Sequence, residues 1–468
     1  MRQNSIQYMI DILFDIFENL RTQIAPLALE ELAVMLHKSM TVQTRFYHSL
    51  DHVLDFYDTE DALKSLAALF HDIVYFQVDQ GISPLIAKVI DHYITYQENT
   101  IYLAKDVPLE EHTFYLTLDT FGFKTGQKLQ LASGLNEFLS ALFMNKTLEE
   151  LLPDVDLLHM TACIEATIPF RSENDLGQGP FDLLANRLEK INLKYQFDLE
   201  ATQIQAILKA AVAFANQDVQ NFAEKDPGNF LDSTWKLLPE SNQALRSQEL
   251  YSIRDYRKAL TQTADFLDAL DPNLVFHRYK DYPEEGIYEK MVQQAYENIK
   301  IARQYLMIKL VSITILEALA EESGGDAPLS LFMGDIPADG GNLRRLEDFL
   351  PKASLSSLAD CSSPIYKLLK SGRNSETIFD LKNAPLSFFL YCNLNTERIQ
   401  QLEKLGYLMF NGDISADEFL TGIEGKVLAQ VARACAALAR TRQAALLAIA
   451  TEKERKLESN LQKDMYEQ

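Results

Sequence analysis

The chain has little cysteine, and the cysteines that it has are not paired in sequence. Its 468 residues include four, Cys163, Cys361, Cys392 and Cys435, which lie far apart and form no C-x-x-C pair. Zinc knuckles and disulfide frameworks need cysteines at close and regular spacing. Neither is predicted, and this cysteine usage favours a reducing cytoplasm.

Basic residues are also in deficit. Lys and Arg number 44 against 67 Asp and Glu, which gives a formal net charge of −23. Such a charge repels phosphate backbones and anionic membrane surfaces, so we expect neither nucleic acid nor a membrane as a partner. Apolar runs of membrane-spanning length are missing. The start, MRQNSIQYMIDILFDIFENL, lacks a small-residue cleavage site and is typical of an amphipathic helix.

Strand signals are scarce, whereas helical spacing of apolar residues recurs along most of the chain. In ALKSLAALFHDIVYF the apolar residues fall at 63, 66, 67, 70, 73 and 74, the three-and-four spacing of a helix buried along one side. We therefore predict an all-α fold. Further helices are predicted near residues 7–38, 82–104, 133–145, 154–168, 201–223, 254–269, 286–321 and 426–460.

The chain is long enough, at 47% hydrophobic residues, for more than one core. A strong break signal is the segment ESGGDAPLSLFMGDIPADGGN at 322–342. We predict a helical domain over residues 1–320 and a helical C-terminal region over 321–468 that ends in a long Ala-rich helix. Small residues let helices approach closely, so this last helix is a candidate for homodimerisation or for docking onto the main body.

Three of the eight histidines cluster with an aspartate in one short stretch. His48 and His52 are four residues apart and would share a face of a helix. His71 and Asp72 are adjacent at the end of an apolar helix, and an imidazole and a carboxylate can converge on one ion that lies between them. Mixed nitrogen and oxygen ligands suit Mn, Fe, Mg, Co, Ni or Zn and select poorly among these metals.

These motifs resemble those of the HD superfamily of metal-dependent phosphohydrolases. HSLDHVLDF is similar to the first histidine motif of the family, and AALFHDIVY is similar to its His-Asp motif. The resemblance covers about thirty residues densely and perhaps 220 loosely. It implies an all-helical HD-type domain with a divalent metal, His48 favoured as the first ligand, His71 and Asp72 as the next two, and a distant aspartate as the last.

The residues themselves indicate which aspartate is the last ligand. In ILKAAVAFANQDVQNF, positions 208, 211, 215, 218 and 222 form one helical stripe that is apolar or small except at Asp218. A carboxylate on a buried stripe is costly unless it is paired or bound to a metal. Asp218 is therefore the predicted distal ligand, with an ion pair to an arginine or a helix cap as the alternative.

A second buried acid lies in DLLHMTACIEATIPFR, where Glu165 follows Leu158 by seven residues on the packed side of a helix. Beside a metal it could support a ligand or act as a general acid or base. Thr167 and Arg171 follow where this helix ends and could bind a phosphate, Arg171 by a two-pronged grip. A capped helix end with a surface arginine is the alternative.

A second metal would need more imidazoles. His52 and His92 are the candidates for it, His92 because it follows His71 by twenty-one residues. His112 and His159 could serve but lack support from spacing. The remaining two, His37 and His277, are interpreted as core or surface residues.

These features favour a metal-dependent hydrolase that acts on a phosphate ester of a small nucleotide or phosphorylated metabolite. A metal-activated water would be the nucleophile, with Asp72 and Glu165 as the predicted catalytic carboxylates. Two alternatives remain: an iron-dependent oxygenase of the HD type, and a non-catalytic regulatory or interaction module with an HD-like core. The motifs that define cyclic-nucleotide phosphodiesterases and guanosine tetraphosphate hydrolases are not evident.

Overall fold

A computed structural model describes residues 5–98, 100–247, 250–334, 344–351, 360–375, 377 and 379–466 of the chain. Helices dominate these residues, and their sheet is a two-stranded hairpin. The predicted all-α fold is confirmed. Across the described ranges, no helix combines the length and the apolar character that a membrane span requires.

The chain forms two compact units, each built from two separate stretches. Unit 1 comprises Met1–Ala223 and Leu270–Tyr296, and unit 2 comprises Glu224–Ala269 and Glu297–Gln468. This division differs from the predicted boundary at residue 320. That boundary falls inside α15 (Glu285–Gly324), a continuous helix that belongs to unit 2 from residue 297 onward.

Unit 1 is a helical bundle that carries one small hairpin. Its helices and strands before the start of α15 are α1 (Ile6–Asn19), α2 (Pro26–Met40), α3 (Leu50–Leu54), α4 (Ala62–His71), α5 (Phe76–Asp79), α6 (Pro84–Ile90), β1 (Ile94–Gln97), β2 (Thr100–Leu103), α7 (His112–Phe121), α8 (Leu135–Leu148), α9 (Asp154–Ala166), α10 (Pro180–Tyr195) and α11 (Ala201–Asp218).

Unit 2 is helical in its described residues, which exclude 335–343 within the predicted boundary segment. Besides the rest of α15 it contains α12 (Pro227–Lys236), α13 (Leu238–Ser241), α14 (Ile253–Ala269), α16 (Ser330–Met333), α17 (Pro364–Ser371), α18 (Pro385–Asn393), α19 (Thr396–Asn411), α20 (Ala416–Thr421), α21 (Gly425–Leu438) and α22 (Gln443–Tyr466).

Helix α4 lies at the centre of unit 1. It starts with Asp61, whose side chain accepts a hydrogen bond from the backbone N–H of Lys64. It packs against α1, α8 and α9, and α9 packs in turn against α7 and α11. Leu66 and Phe70 are fully buried in this core, and burial of such a side chain stabilises a fold by about 1.5–3 kcal/mol. The tight packing holds the His-Asp end of α4 in place.

The predicted helix over residues 82–104 is wrong beyond Ile90. There the chain passes through a short 3₁₀ helix into the antiparallel pair of β1 and β2, in register from Ile94 opposite Leu103 to Gln97 opposite Thr100. Both strands, ITYQ and TIYL, are rich in β-branched and aromatic residues, which favour strands. With only four residues each, the strands are too short for this preference to interrupt the helix-like spacing of apolar residues around them.

The predicted single Ala-rich helix at the C-terminus is also wrong. A 3₁₀ turn at Arg440–Arg442 separates α21 from α22, and the two helices pack against each other as an antiparallel pair. Arg433 of α21 forms an ion pair with Glu454 of α22, with Nη2 and Oε2 2.5 Å apart. Arg442 donates to the carbonyl oxygens of Ala320 and Gly325 at the end of α15, which satisfies carbonyls that a helix end leaves unpaired.

Candidate metal centre

Four side chains of unit 1 meet because three helices end or begin close together. Helix α3 begins only at Leu50, so His52 lies in it while His48 precedes it. Helix α4 ends at His71, and Asp72 is its C-terminal cap residue. Helix α11, which packs against α9 beside α4, ends at Asp218. Two helix ends and one short helix thus supply the site.

The polar atoms of these side chains converge within a few ångströms. The Nε2 atom of His52 lies 3.0 Å from Oδ1 of Asp218 and 3.7 Å from Oδ2 of Asp72. The Nε2 atom of His71 lies 3.1 Å from Oδ2 of Asp72 and 3.5 Å from Oδ1 of Asp218. One ligand atom each from His52, His71 and Asp218 falls within 4.8 Å of the others. This spacing matches a group that could hold a metal ion.

The hydrogen bond of Nδ1 of His71 determines which ring nitrogen faces the centre. Nδ1 lies 2.7 Å from the carbonyl oxygen of Ala68, one turn earlier in α4. A carbonyl only accepts, so Nδ1 carries the hydrogen, and in the neutral ring Nε2 presents its lone pair to the carboxylates. A hydrogen bond of this kind orients most histidines that ligate metals.

The donor set fits a divalent ion. Nε2 of His71 and Oδ2 of Asp72 are both buried, and neither makes a well-formed hydrogen bond within the described residues. A lone pair facing two carboxylates is repulsive unless a proton or a cation lies between them. Two imidazole nitrogens and two carboxylates together suit Mn, Fe, Co, Ni or Zn.

Electrostatics within the cluster keep the carboxylates ionised. Burial raises the pKa of Asp218, but the hydrogen bond with His52 and the adjacent His71 outweigh it and lower the pKa to about 2. Burial likewise opposes ionisation of Asp72, but the neighbouring His71 holds the pKa of that carboxyl below its usual range. For His71, burial lowers the pKa, but the charges of Asp72 and Asp218 raise it well above its usual value. A bound cation would replace the His71 proton.

His52 supplies one of the three converging ligand atoms, whereas His48 lies at the edge of the cluster, where its charge helps to lower the pKa of Asp72. The His48 ring stacks on Tyr75 with 4.1 Å between centroids and lies 6.0 Å from the ring of His52. His48 and His52 do not share a helix face as predicted, because residue 48 lies before the first turn of α3. We therefore take His52 as the first candidate ligand in place of the favoured His48.

Arg45, which the sequence did not single out, supports the backbone at the His-Asp pair. Its buried guanidinium donates to the carbonyl oxygens of Asp72 at 2.6 Å and Ile73 at 3.1 Å. It also forms an ion pair with Asp79, with Nη2 and Oδ2 2.6 Å apart. The charge-assisted bonds fix the direction in which Asp72 leaves α4.

Glu165 is buried as predicted, with 1% of its side chain exposed, but two arginines neutralise it. Arg171 Nη1 lies 2.6 Å from its Oε1, and Arg187 Nη2 lies 2.5 Å from the same atom. A carboxylate held by two guanidinium groups is committed to these ion pairs. The hydroxyl of Thr167 donates to the carbonyl of Ile164 at 2.8 Å, as in a helix end. Arg187 was missed because it is twenty-two residues from Glu165.

The other histidines lie apart from the described contacts of the cluster. His92 is exposed in the 3₁₀ helix Asp91–Tyr93. His112 is half exposed and lies 3.2 Å from Asp154 Oδ1. His277 is half-buried, and desolvation together with Arg171 lowers its pKa to about 4. These positions do not support His92 as a ligand of this centre.

Glu137 at the start of α8 is a further acid that the sequence analysis missed. Its Oε2 atom is buried and makes no hydrogen bond within the described residues. The signal was present, since Glu137 is followed at four and seven residues by Ala141 and Met144, both fully buried. The stripe argument that identified Asp218 would have identified Glu137 as well.

Comparison of the chain with protein-family models, with curated proteins and with solved structures found no match. The fold class and the candidate centre therefore rest on the sequence and on the geometry described above.

Proposed function

We propose that the chain is an HD-type, metal-dependent phosphohydrolase. The observation that carries the proposal is the convergence of His52, His71, Asp72 and Asp218. In the described part of the chain, the buried atoms Nε2 of His71 and Oδ2 of Asp72 have no hydrogen-bond partner. Their order along the chain, His, then His-Asp, then a distant Asp, is the order that the resemblance to the HD superfamily implies.

The chain's own residues would hold the ion and keep it in place. His52, His71, Asp72 and Asp218 would be its ligands, with the Ala68 carbonyl orienting His71 and Arg45 orienting Asp72. When bound, a divalent metal supplies Lewis acidity and makes water nucleophilic at neutral pH.

An anionic substrate is supported by two arginines of unit 1. Two guanidinium groups, of Arg171 and Arg187, face the single carboxylate of Glu165, so this group carries one excess positive charge in an otherwise acidic protein. Both arginines are about one-fifth exposed. They would attract the phosphate of a small nucleotide or phosphorylated metabolite.

The test is hydrolysis of 4-nitrophenyl phosphate by protein loaded in turn with Mn, Co, Ni, Mg, Zn or Fe. Wild type is expected to release phosphate with at least one metal and to lose the activity in a chelator. Asp218→Asn and His52→Ala, each shown to be folded by circular dichroism, are expected to be inactive, whereas His112→Ala on the surface should retain activity.

Two results would contradict the proposal. One is hydrolysis that survives both ligand substitutions. The other is a protein that hydrolyses no phosphate ester with any metal, and an iron-loaded form that consumes dioxygen would then favour the oxygenase alternative.

A further inference from the structure

Hydrogen bonds from α8 hold Glu137 next to the segment that follows Asp72. The preceding residue, Asn136, accepts a hydrogen bond from the backbone N–H of Phe76 at 3.0 Å through its Oδ1. One turn later, Ser140 Oγ accepts from the backbone N–H of Val74 at 3.1 Å. The first two turns of α8 are thus bound to the segment that directly follows Asp72, and Glu137 lies between the two attachment points.

One oxygen of the Glu137 carboxyl group lacks a hydrogen-bond partner in the described part of the chain. This oxygen, Oε2, is buried, and burial without a hydrogen bond is costly for an ionised oxygen. The carboxyl group does accept from its own backbone N–H. It lies close enough to Asp72 and Asp218 for their negative charges to disfavour its ionisation. A protonated carboxyl group removes both problems and leaves a hydroxyl hydrogen to donate.

The other acids of the site already have partners or proposed roles. Asp72 and Asp218 are candidate metal ligands with pKa values held low. Glu165 forms ion pairs with Arg171 and Arg187. Of the four acids described at this site, Glu137 is the one whose surroundings favour a proton.

We propose that Glu137 is the general acid of the hydrolysis, the group that gives a proton to the leaving oxygen of the phosphate ester. This inference rests on the proposed function. It also narrows the substrate class, because general acid catalysis is needed for esters of alcohols, such as sugar or nucleoside phosphates, whose alkoxides are strongly basic leaving groups.

The pKa of Glu137 agrees with this role. Burial, the largest cause, and the charges of Asp72 and Asp218 raise its pKa to about 7, although a hydrogen bond from its own backbone N–H and, more weakly, Arg171 oppose the rise. A carboxyl group with a pKa near the working pH is protonated often enough to donate and becomes a stable carboxylate after donation.

The reaction balances with water as the only co-substrate. The ester bond between phosphorus and the leaving oxygen breaks, its electron pair stays on that oxygen, and the oxygen takes the proton of Glu137. Water forms the new bond to phosphorus and releases a proton, which restores the Glu137 carboxyl group through solvent. The products are the free alcohol and inorganic phosphate.

The test compares two esters with wild type and Glu137→Gln. For glycerol phosphate, a poor leaving group, kcat is expected to fall by about 10²- to 10⁴-fold, the usual contribution of a general acid. For 4-nitrophenyl phosphate, whose leaving group needs no proton, kcat should fall by less than about tenfold. KM for both esters should change little, and Glu137→Asp should restore part of the lost glycerol phosphate activity.

The controls separate this role from a structural one. Glu150→Gln, the same substitution at an exposed position near the end of α8, should leave both activities unchanged. Bound metal, measured by elemental analysis, should be equal in wild type and Glu137→Gln. Equal losses for the two esters, or no loss for either, would overturn the assignment of Glu137. If wild type hydrolyses neither ester with any metal, the proposed function fails instead.

A second readout does not depend on activity. Infrared spectra at pH 6, from which the spectrum of the same protein at pH 8 is subtracted, should show the carbonyl band of a protonated carboxyl group in wild type and in Glu150→Gln. The band should be missing from Glu137→Gln, in both the metal-free and the metal-loaded protein. A band that persists in Glu137→Gln would show that another group holds the proton and would contradict the proposal.

Discussion

At the scale of single residues, the candidate centre depends on which atom of each side chain is already engaged. His71 uses Nδ1 for the Ala68 carbonyl and keeps Nε2 for the centre, so one hydrogen bond decides its role. Glu165 of unit 1 is buried and Glu137 of the same unit has a buried Oε2, but arginines neutralise the first while the second has no such partner in the described contacts. Burial alone therefore does not distinguish a structural acid from a chemical one.

The sequence predicts most acids of the site but not the partners that decide their roles. Asp218 and Glu165 were found because an acid on an apolar helical stripe needs a partner. The partner itself is not visible in the pattern, since Arg187 comes from another helix. The choice between His48 and His52 depends on where α3 begins, and a five-residue helix has too little periodicity to show it.

Glu137 also gives a prediction for the pH dependence of stability in the metal-free protein. Its pKa rises from 4.5 to about 7 on folding, so between these values the folded protein holds a proton that the unfolded chain has lost. The free energy of unfolding therefore falls as the pH rises through this window. Glu137→Gln should remove this loss and be more stable than wild type at pH 8 by up to about 3 kcal/mol.

Urea unfolding of the two metal-free proteins at pH 4 and pH 8 measures this difference. The gain in Glu137→Gln should be smaller at pH 4, where the wild-type carboxyl is protonated in both states. A gain of the same size at both pH values would mean that Glu137 is not protonated by its surroundings.

At the scale of elements, the core of unit 1 is joined by a buried polar contact between three helices. Asn145 of α8 donates from Nδ2 to the hydroxyls of Thr117 in α7 and Thr161 in α9, each at 2.8 Å. All three side chains are fully buried. Hydrogen bonds inside a core fix one arrangement of helices, because any other arrangement leaves polar groups unsatisfied.

Asn145→Ala should lower the free energy of unfolding by about 2–4 kcal/mol, since it leaves a cavity and two hydroxyls without this donor. Thr147→Ala is the matched control on the same helix. The Thr147 hydroxyl donates within α8 to the carbonyl of Phe143, so its loss should cost less than about 1 kcal/mol. Denaturant unfolding measures both, and equal effects would contradict a special role for Asn145.

Element types followed from the sequence wherever one apolar stripe continued for several turns, as in α4, α9 and α11. They did not follow at β1 and β2, because four-residue strands are stabilised by partners elsewhere in the chain. Strand β2 pairs with β1 and also exchanges backbone hydrogen bonds with the segment at Gln127 and Leu129. Such pairing is a property of the fold and leaves little trace in local spacing.

At the scale of the whole molecule, the two units interleave along the chain in a way that no local signal predicts. Asn216, near the end of α11, donates to the carbonyl of His277 at 2.8 Å and accepts from its N–H at 2.7 Å. These bonds attach residues 270–296 to unit 1 across sixty-one positions of sequence. A sequence reading places boundaries at breaks, and it cannot see that a later segment returns to an earlier core.

If His52, His71, Asp72 and Asp218 hold a divalent ion as proposed, the whole chain must bind one, and a metal titration shows whether it does. Protein stripped with a chelator is titrated with Mn, Co, Ni or Zn in a calorimeter, and bound metal is then measured by elemental analysis. Wild type should bind at least one of these metals. His52→Ala and Asp218→Asn should weaken binding by more than about 100-fold, beyond the effect typical of residues that only support a ligand.

His48→Ala is the matched control for His52→Ala, because it removes the neighbouring imidazole that stacks on Tyr75. It should retain the metal stoichiometry of wild type. A wild-type protein that binds none of these metals would contradict the account. A protein that keeps its metal without His52 and loses it without His48 would contradict the ligand set described here.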